Sequence, residues 1–296
     1  MTQVQEVLLR EEKSPGYWST AGREFIRNPV ARVGLGLMGV IIGFSFIGPL
    51  FYTVDPNGID AYVDPLAAPS WAHLLGTDYV GRDILARLMA GGQSSLEVGF
   101  AAAFLAIVVG ALYGATAGLL GGAADSAMMR LLDVALAIPV LLLLLLLAVT
   151  ISTNMAVIIL LIGLTSWLVP GRLIRAETLT LRTREYVQAA RIMGSSSTRI
   201  IGRHILPNTL GTIVVNVTFQ IADAILLLSY LSFLGLGIPP PAATWGGILS
   251  DGLTSLSENA WWTVYPAGAC ILLTVVAFNF MGHALQDTLE TRLNAK

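Results

Sequence analysis

The chain has 296 residues, of which 55% are hydrophobic and only 12% are charged, and its mean hydropathy is +0.72. Soluble domains carry about 25% charged residues, so this composition excludes a soluble enzyme and predicts an integral membrane protein. The net charge of −2 gives no indication of nucleic-acid binding. The single cysteine, Cys270, cannot form an intramolecular disulfide, and its apolar surroundings predict a buried or lipid-facing side chain.

Residues 1–30 are polar and charged and precede the first apolar run. They are too long and too acidic for the n-region of a cleaved signal peptide. We therefore expect a cytoplasmic N-terminal segment over 1–30, followed by an apolar run that is retained as an anchor.

Five apolar runs follow, and each is long enough for at least one bilayer crossing of about 20 residues. The longest, between Asp133 and Arg172, is too long for one crossing and is divided by the weakly polar residues 150–154. Aromatic residues from Trp261 to Tyr265 open the last run, as is typical of the headgroup layer. The sequence thus predicts an all-α fold with transmembrane helices at 31–54, 94–120, 128–150, 155–176, 207–231 and 261–283.

The distribution of basic residues predicts the orientation. With both termini in the cytoplasm, the extracytoplasmic loops are 55–93, 150–154 and 232–260, and their only basic residues are Arg82 and Arg87. The tail 284–296 is then cytoplasmic. Cytoplasmic loops are enriched in lysine and arginine, and the loop after the fourth span fits that rule with Arg172, Arg175, Arg182, Arg184, Arg191, Arg199 and Arg203.

This loop, residues 181–206, has the pattern of two short helices. Glu185 lies in a first helical turn, where a negative charge suits the helix dipole, and Gly194 permits a left-handed stop. Ser195 can cap a second helix, and Pro207 can open the fifth span.

The small residues Ala189 and Ala190 give the first of these helices a shallow face that can lie in a groove of another protein. An ordinary basic loop of a helical bundle has the same composition. Spacing alone leaves both interpretations open.

Two spans carry patterned side chains. Glycines at four-residue spacing in the second span predict close helix packing. They are Gly110, Gly114, Gly118 and Gly122. In the fifth span Thr212, Asn216, Gln220 and Asp223 share one helix face, which predicts either the lining of a translocation path or hydrogen bonding between helices.

Other polar residues in the spans have simpler interpretations. Arg130 and Asp133, three residues apart, are predicted to pair on one helix surface. His283 is interpreted as an interfacial packing residue, and no group of residues has the spacing of a metal site.

The chain lacks the Gly-x-x-x-x-Gly-Lys-Ser/Thr loop that cradles ATP phosphates, since its only lysines, Lys13 and Lys296, lie in the tails. We therefore expect no cofactor in this chain and no enzymatic activity of its own.

Residues 183–207 resemble the EAA loop of ABC importer permeases, in which Glu-Ala-Ala is followed after three residues by Gly and after nine more by Ile-x-Leu-Pro. Gln188 replaces the glutamate and His204 the isoleucine, and the stretches around 185–187 and 204–208 resemble the peptide-importer branch of the family. The resemblance implies contact with an ATPase through Glu185, Gln188, Ala189, Ala190, Arg191 and Gly194.

Two further stretches of the sequence resemble the same family. Residues 27–32 resemble the N-terminal module of the C-type permease of dipeptide, oligopeptide and nickel importers, and 75–83 with 94–96 resemble its outer-loop signature. Asp83 is also suited to cap a following amphipathic helix within 55–93. That loop has either a structural role or contact with a substrate-delivering receptor.

The resemblance implies a MetI-like permease fold in a bacterial inner membrane, with 181–206 as the coupling loop. It implies a homologous B-type permease, one or two ATPase subunits that bind ATP and Mg, an extracytoplasmic solute-binding protein, and membrane lipid as partners. The expected function is half of a peptide translocation path that works by alternating access. Alternatives are nickel or glutathione as substrate, a self-contained secondary transporter, and an intramembrane enzyme.

Overall fold

A computed structural model describes residues 17–59 and 64–293. Parts of the predicted N-terminal segment (1–16), outer loop (60–63) and tail (294–296) lie outside the described residues. The described residues form helices joined by loops, with two isolated bridge pairs in the outer loop. The helices are α1 (Tyr17–Arg27), α2 (Pro29–Phe51), α3 (Ile84–Leu120), α4 (Gly122–Leu136), α5 (Val140–Thr150), α6 (Met155–Ser166), α7 (Leu168–Leu181), α8 (Glu185–Ile192), α9 (Ser197–Ile200), α10 (Leu210–Phe233), α11 (Trp245–Leu253) and α12 (Tyr265–Leu293).

Four of these helices are long and apolar enough to cross a membrane: α2, α3, α10, and α12 with the short turn before it. Two further pairs pass the same test only when joined, and both are bent. The α4–α5 pair bends by 77° and the α6–α7 pair by 42°. The described chain therefore has four spans, or six when each bent pair counts as one.

The predicted amphipathic helix of the outer loop and the predicted second span are one helix of 37 residues, α3. Asp83 caps its start, since the carboxylate accepts a hydrogen bond of 2.7 Å from the amide of Ala86. Gly91 and Gly92 lie against α11 and α2, at positions where a side chain would be crowded. The helix is therefore packed against its neighbours in the region where the sequence suggested a break.

The region of the span predicted over 128–150 contains a break in the structure. Residues 137–139 separate α4 from α5, and Pro139 lacks the amide hydrogen that a continuous helix needs at that point. The span expected at 155–176 is likewise divided at Trp167, with Pro170 in the first turn of α7.

The predicted pairing of Arg130 with Asp133 is wrong. Asp133 forms its ion pair with Arg172 of α7. Two turns earlier on α4, Asp125 accepts hydrogen bonds of 2.5 and 2.7 Å from Arg175. Because α4 lies beside α7, its two carboxylates meet arginines across the helix pair, and local spacing on α4 gives no sign of this.

Glycines of α3 allow a close approach to α7. A Cβ on Gly110 would lie 2.8 Å from the carbonyl oxygen of Trp167, and one on Gly118 would lie 2.7 Å from the Thr178 Cβ. A Cβ on Gly114 would overlap the carbonyl oxygen of Gly171. These three glycines form the predicted packing face, whereas Gly122 lies beyond the end of α3 and has open space around it.

The loop before α3 is held by buried polar contacts. Besides capping α3, Asp83 accepts a hydrogen bond of 2.7 Å from the Tyr52 hydroxyl and lies 2.9 Å from Nδ1 of His73. Burial and that hydrogen bond raise the pKa of Tyr52 to about 12, so its phenol remains a donor at neutral pH. Nearby, Asp78 accepts a bond of 2.7 Å from Nε of Arg82. These contacts favour the structural interpretation of the Gly-Thr-Asp and Gly-Arg-Asp stretch.

Candidate coupling surface and cavity

The loop after α7 folds as two short helices, α8 and α9, joined by a tight turn. Gly194 in this turn has φ +78°, in the left-handed region that the sequence predicted for it. The Ser195 amide donates to the carbonyl of Ala190 over 3.0 Å and closes the end of α8. The cap of α9 is Ser196 rather than the expected Ser195, since the Ser196 side chain accepts from the amide of Arg199.

Two arginines tie this loop to the C-terminal end of α3. Arg182 donates to the carbonyl of Gly118 over 2.9 Å, and Arg191 donates to the carbonyl of Leu119 over 3.2 Å. The last carbonyls of a helix have no partner within it and carry its negative dipole end. The guanidinium groups satisfy both carbonyls, so the loop is joined to the end of α3 by side-chain hydrogen bonds.

One face of α8 is buried within the chain. Val187 and Ala190 pack with Ile200 and Ile205 in a cluster that includes residues of α3 and α7. Ala190, one of the predicted ATPase-contact residues, is only 3% exposed. It therefore fixes α8 to the bundle, and Arg191 anchors the same helix through the bond to α3.

The opposite face of the loop is exposed. It includes the predicted contact residues Glu185, Gln188, Ala189 and Gly194. The largest apolar side chains there were not predicted: Ile192 is 86% exposed and Met193 is 77% exposed. Their signal in the sequence is a pair of adjacent large apolar residues directly before the glycine that ends the helix. We call the exposed residues 185, 188, 189 and 192–194 the coupling surface.

A second feature lies where the two bent pairs face α10. A half-open cavity of about 410 Å³ lies between the breaks at 137–139 and at Trp167 on one side and α10 on the other. Its walls are largely apolar, and five of its lining residues carry polar side-chain groups. These are Thr165, Ser166, Gln220, Asp223 and Tyr230.

The predicted polar face of α10 divides between two environments. Gln220 and Asp223 line the cavity. Gln220 is 8% exposed and its amide donates to the carbonyl of Ser166 over 2.7 Å, whereas Asp223 is exposed. Thr212 and Asn216 lie closer to the start of α10, outside the cavity lining, and the Asn216 amide donates to the carbonyl of Thr212. The sequence predicted that these four side chains share one face of α10. The bends at Pro139 and Trp167 determine which of them line the cavity.

His283, near the end of α12, packs edge-on against the ring of Phe219, with a centroid distance of 5.1 Å. The start of α10 also differs from expectation. A short π-helical turn, Ile201–Ile205, and a loop containing Pro207 precede the first residue of α10, Leu210.

Comparison with known proteins gives the family. Residues 106–295 match the binding-protein-dependent transport system inner membrane component, and residues 16–69 match the N-terminal TM domain of oligopeptide transport permease C. The chain is 36% identical over 282 residues to the oligopeptide transport system permease protein OppC of Bacillus subtilis, covering 95% of this chain and 92% of that protein. It is 41% identical over 281 residues to a putative peptide permease protein of Brucella suis, with 94% and 92% covered. It is 36% identical over 282 residues to the dipeptide transport system permease protein DppC of Bacillus subtilis, with 95% and 87% covered. The chain therefore belongs to the inner membrane component family of binding-protein-dependent transport systems.

Proposed function

We propose that this chain is the C-type permease subunit of a peptide ABC importer, with a MetI-like fold. The observation that carries the proposal is the coupling surface, an exposed helix and turn tied by two arginines to the inner end of a spanning helix. Relatives named as oligopeptide and dipeptide permeases support a peptide as the substrate. No specific observation favours nickel, glutathione or a secondary transporter.

The other parts of the importer are separate partner proteins in this assignment. A homologous B-type permease completes the path, and one or two ATPase subunits bind ATP and Mg and contact the coupling surface. An extracytoplasmic binding protein delivers the peptide. The support for separate ATPase subunits is the absence of a phosphate-binding glycine-lysine loop in the sequence.

The proposed topology has both termini and the coupling surface in the cytoplasm, and the loop before α3 outside. It predicts opposite labelling of two exposed positions. In a Cys270→Ala background, Trp71→Cys, a position 96% exposed in the outer loop, is expected to react with a membrane-impermeant thiol reagent in right-side-out vesicles. In vesicles that contain the permease without ATPase subunits, Ile192→Cys, 86% exposed in the isolated chain, is expected to react only when the vesicles are inside-out. The reverse pattern would exclude this orientation.

We further propose that the cavity beside α10 is part of the translocation path. Its support is a group of polar side chains at membrane depth, which lies between two broken helices. These helices can tilt as the halves of the importer close and open. Irregular backbone at membrane depth is tolerated where it is buried in protein or lines a cavity.

This role predicts that filling the cavity blocks transport. Thr165→Trp directs an indole into the cavity, and we expect it to reduce uptake by the reconstituted importer at least about tenfold while ATPase association is unchanged. Leu164→Trp is the matched control, because Leu164 is the adjacent residue, is exposed on another face of α6 and lies outside the cavity lining. Equal uptake by the two variants would contradict the path.

A further inference from the structure

Asp223 is the only ionisable residue among those that line the cavity, apart from the phenol of Tyr230. It lies near the middle of the 24-residue α10. Within residues 17–59 and 64–293 its carboxylate makes no hydrogen bond or ion pair. Asp125, by contrast, is paired with Arg175, so Asp223 lacks the helix-pairing role that Asp125 has. A carboxylate at membrane depth is costly and normally faces a partner or a water-filled path.

The groups around Asp223 favour a cation. No lysine, arginine or histidine lines the cavity. Tyr230 lies seven residues further along α10, hence on the same face two turns away, and an aromatic face attracts cations. Gln220 lies one turn to the other side, and because its amide donates to Ser166 its carbonyl oxygen remains as an acceptor. The cavity thus offers hydrogen-bond acceptors and a negative charge, which suit a cationic ligand that donates several hydrogen bonds.

We propose that the Asp223 carboxylate binds a primary ammonium group of the substrate during passage, either the amino terminus of a peptide or a lysine side chain. An ammonium group has three donors, and the Asp223 carboxylate with the Gln220 carbonyl one turn away supplies acceptors for them. The volume of about 410 Å³ falls within the range of small-ligand sites, which hold molecules of a few residues. This assignment rests on the proposed function of the cavity as a path.

The first test measures the charge preference of the cavity. In a Cys270→Ala background, Leu227→Cys places a thiol in the cavity lining, one helical turn from Asp223. The assembled importer is labelled with a cationic and an anionic thiosulfonate reagent of equal size. Asp223→Asn is expected to lower the ratio of cationic to anionic labelling rates by up to about tenfold, from the interaction of unit charges about 6 Å apart in water.

Two variants control this measurement. Asp223→Glu is expected to retain the ratio of the parent protein. Glu97→Gln removes another exposed carboxylate of a spanning helix, outside the cavity lining, and is expected to leave the ratio unchanged. A ratio that does not respond to Asp223→Asn would overturn the cation site.

The second test identifies the ammonium group. Trialanine, N-acetyl-trialanine and N-acetyl-Ala-Lys-Ala are compared as protectants of the Leu227→Cys thiol. Protection by trialanine alone assigns the amino terminus, and protection by the lysine peptide alone assigns a side chain. In either case Asp223→Asn should abolish protection. Equal protection by N-acetyl-trialanine, or protection that survives Asp223→Asn, would overturn the proposal.

The outcomes also separate this inference from the proposed path. If neither reagent reaches the Leu227→Cys thiol in any nucleotide state, the cavity is not a path and the ammonium site fails with it. If the thiol is reached and Thr165→Trp blocks uptake, yet Asp223→Asn changes neither the ratio nor the protection, the path stands and the ammonium site alone is wrong.

Discussion

Replacing Ile192 and Met193 together by aspartate is expected to abolish ATP-driven uptake while the permease itself stays folded. Both side chains are largely exposed, so their replacement costs the isolated chain little. In the proposed assembly they are the apolar anchors of the coupling surface. Burying a side chain of this size is worth about 1.5–3 kcal/mol, so the double variant should lose ATPase affinity by at least about 100-fold. Co-purification of the ATPase subunits and uptake into proteoliposomes measure the effect.

Two controls separate lost contact from misfolding. Leucine at both positions retains the apolar surface and should retain uptake. Ala190→Asp introduces a charge on the buried face of α8, where Ala190 packs against the bundle, and it should lower the yield and thermal stability of the permease alone. Normal ATPase co-purification with Ile192 and Met193 both replaced by aspartate would show that the ATPase binds elsewhere.

The second large effect is expected at Gly114. A single added methyl group would overlap the backbone of Gly171, which cannot rotate away as a side chain would. Gly114→Ala should therefore force α3 and α7 apart, at a cost of about 2 kcal/mol from overpacking. Because α7 leads directly into the coupling loop, transport should fall together with stability. Thermal unfolding of the detergent-solubilised complex and uptake measure the two effects.

Gly39 of α2 supplies the matched control. A Cβ at this position would meet no heavy atom within 4 Å. Gly39→Ala should therefore leave stability unchanged or raise it by about 0.5–1 kcal/mol, since alanine loses less backbone freedom in a helix than glycine. If Gly114→Ala and Gly39→Ala have the same stability, the close approach of α3 and α7 is not needed for the fold.

The loop between α7 and α10 shows how far local sequence patterns reach. Its two short helices and the left-handed turn at Gly194 agree with expectation, because caps, glycine stops and helix propensity act within a few residues. The orientation of α8 about its own axis could not be predicted in this way. Ala190 faces inward and Ile192 outward because of the residues of α3 and α7 that lie beneath them.

Sequence alone determined that this is an all-helical membrane protein of the permease family, with up to six spans. Hydropathy suffices for the helical spans, since a chain in lipid must satisfy its backbone hydrogen bonds internally and the helix is the local way to do so. The family was indicated by the resemblance of residues 183–207 to the loop of known permeases. Only the tertiary structure decided the 77° and 42° bends, the pairing of Asp133 with Arg172, and the cavity that Asp223 faces. The ion pair and the cavity depend on residues more than thirty positions apart, which helix packing brings together and no local period encodes.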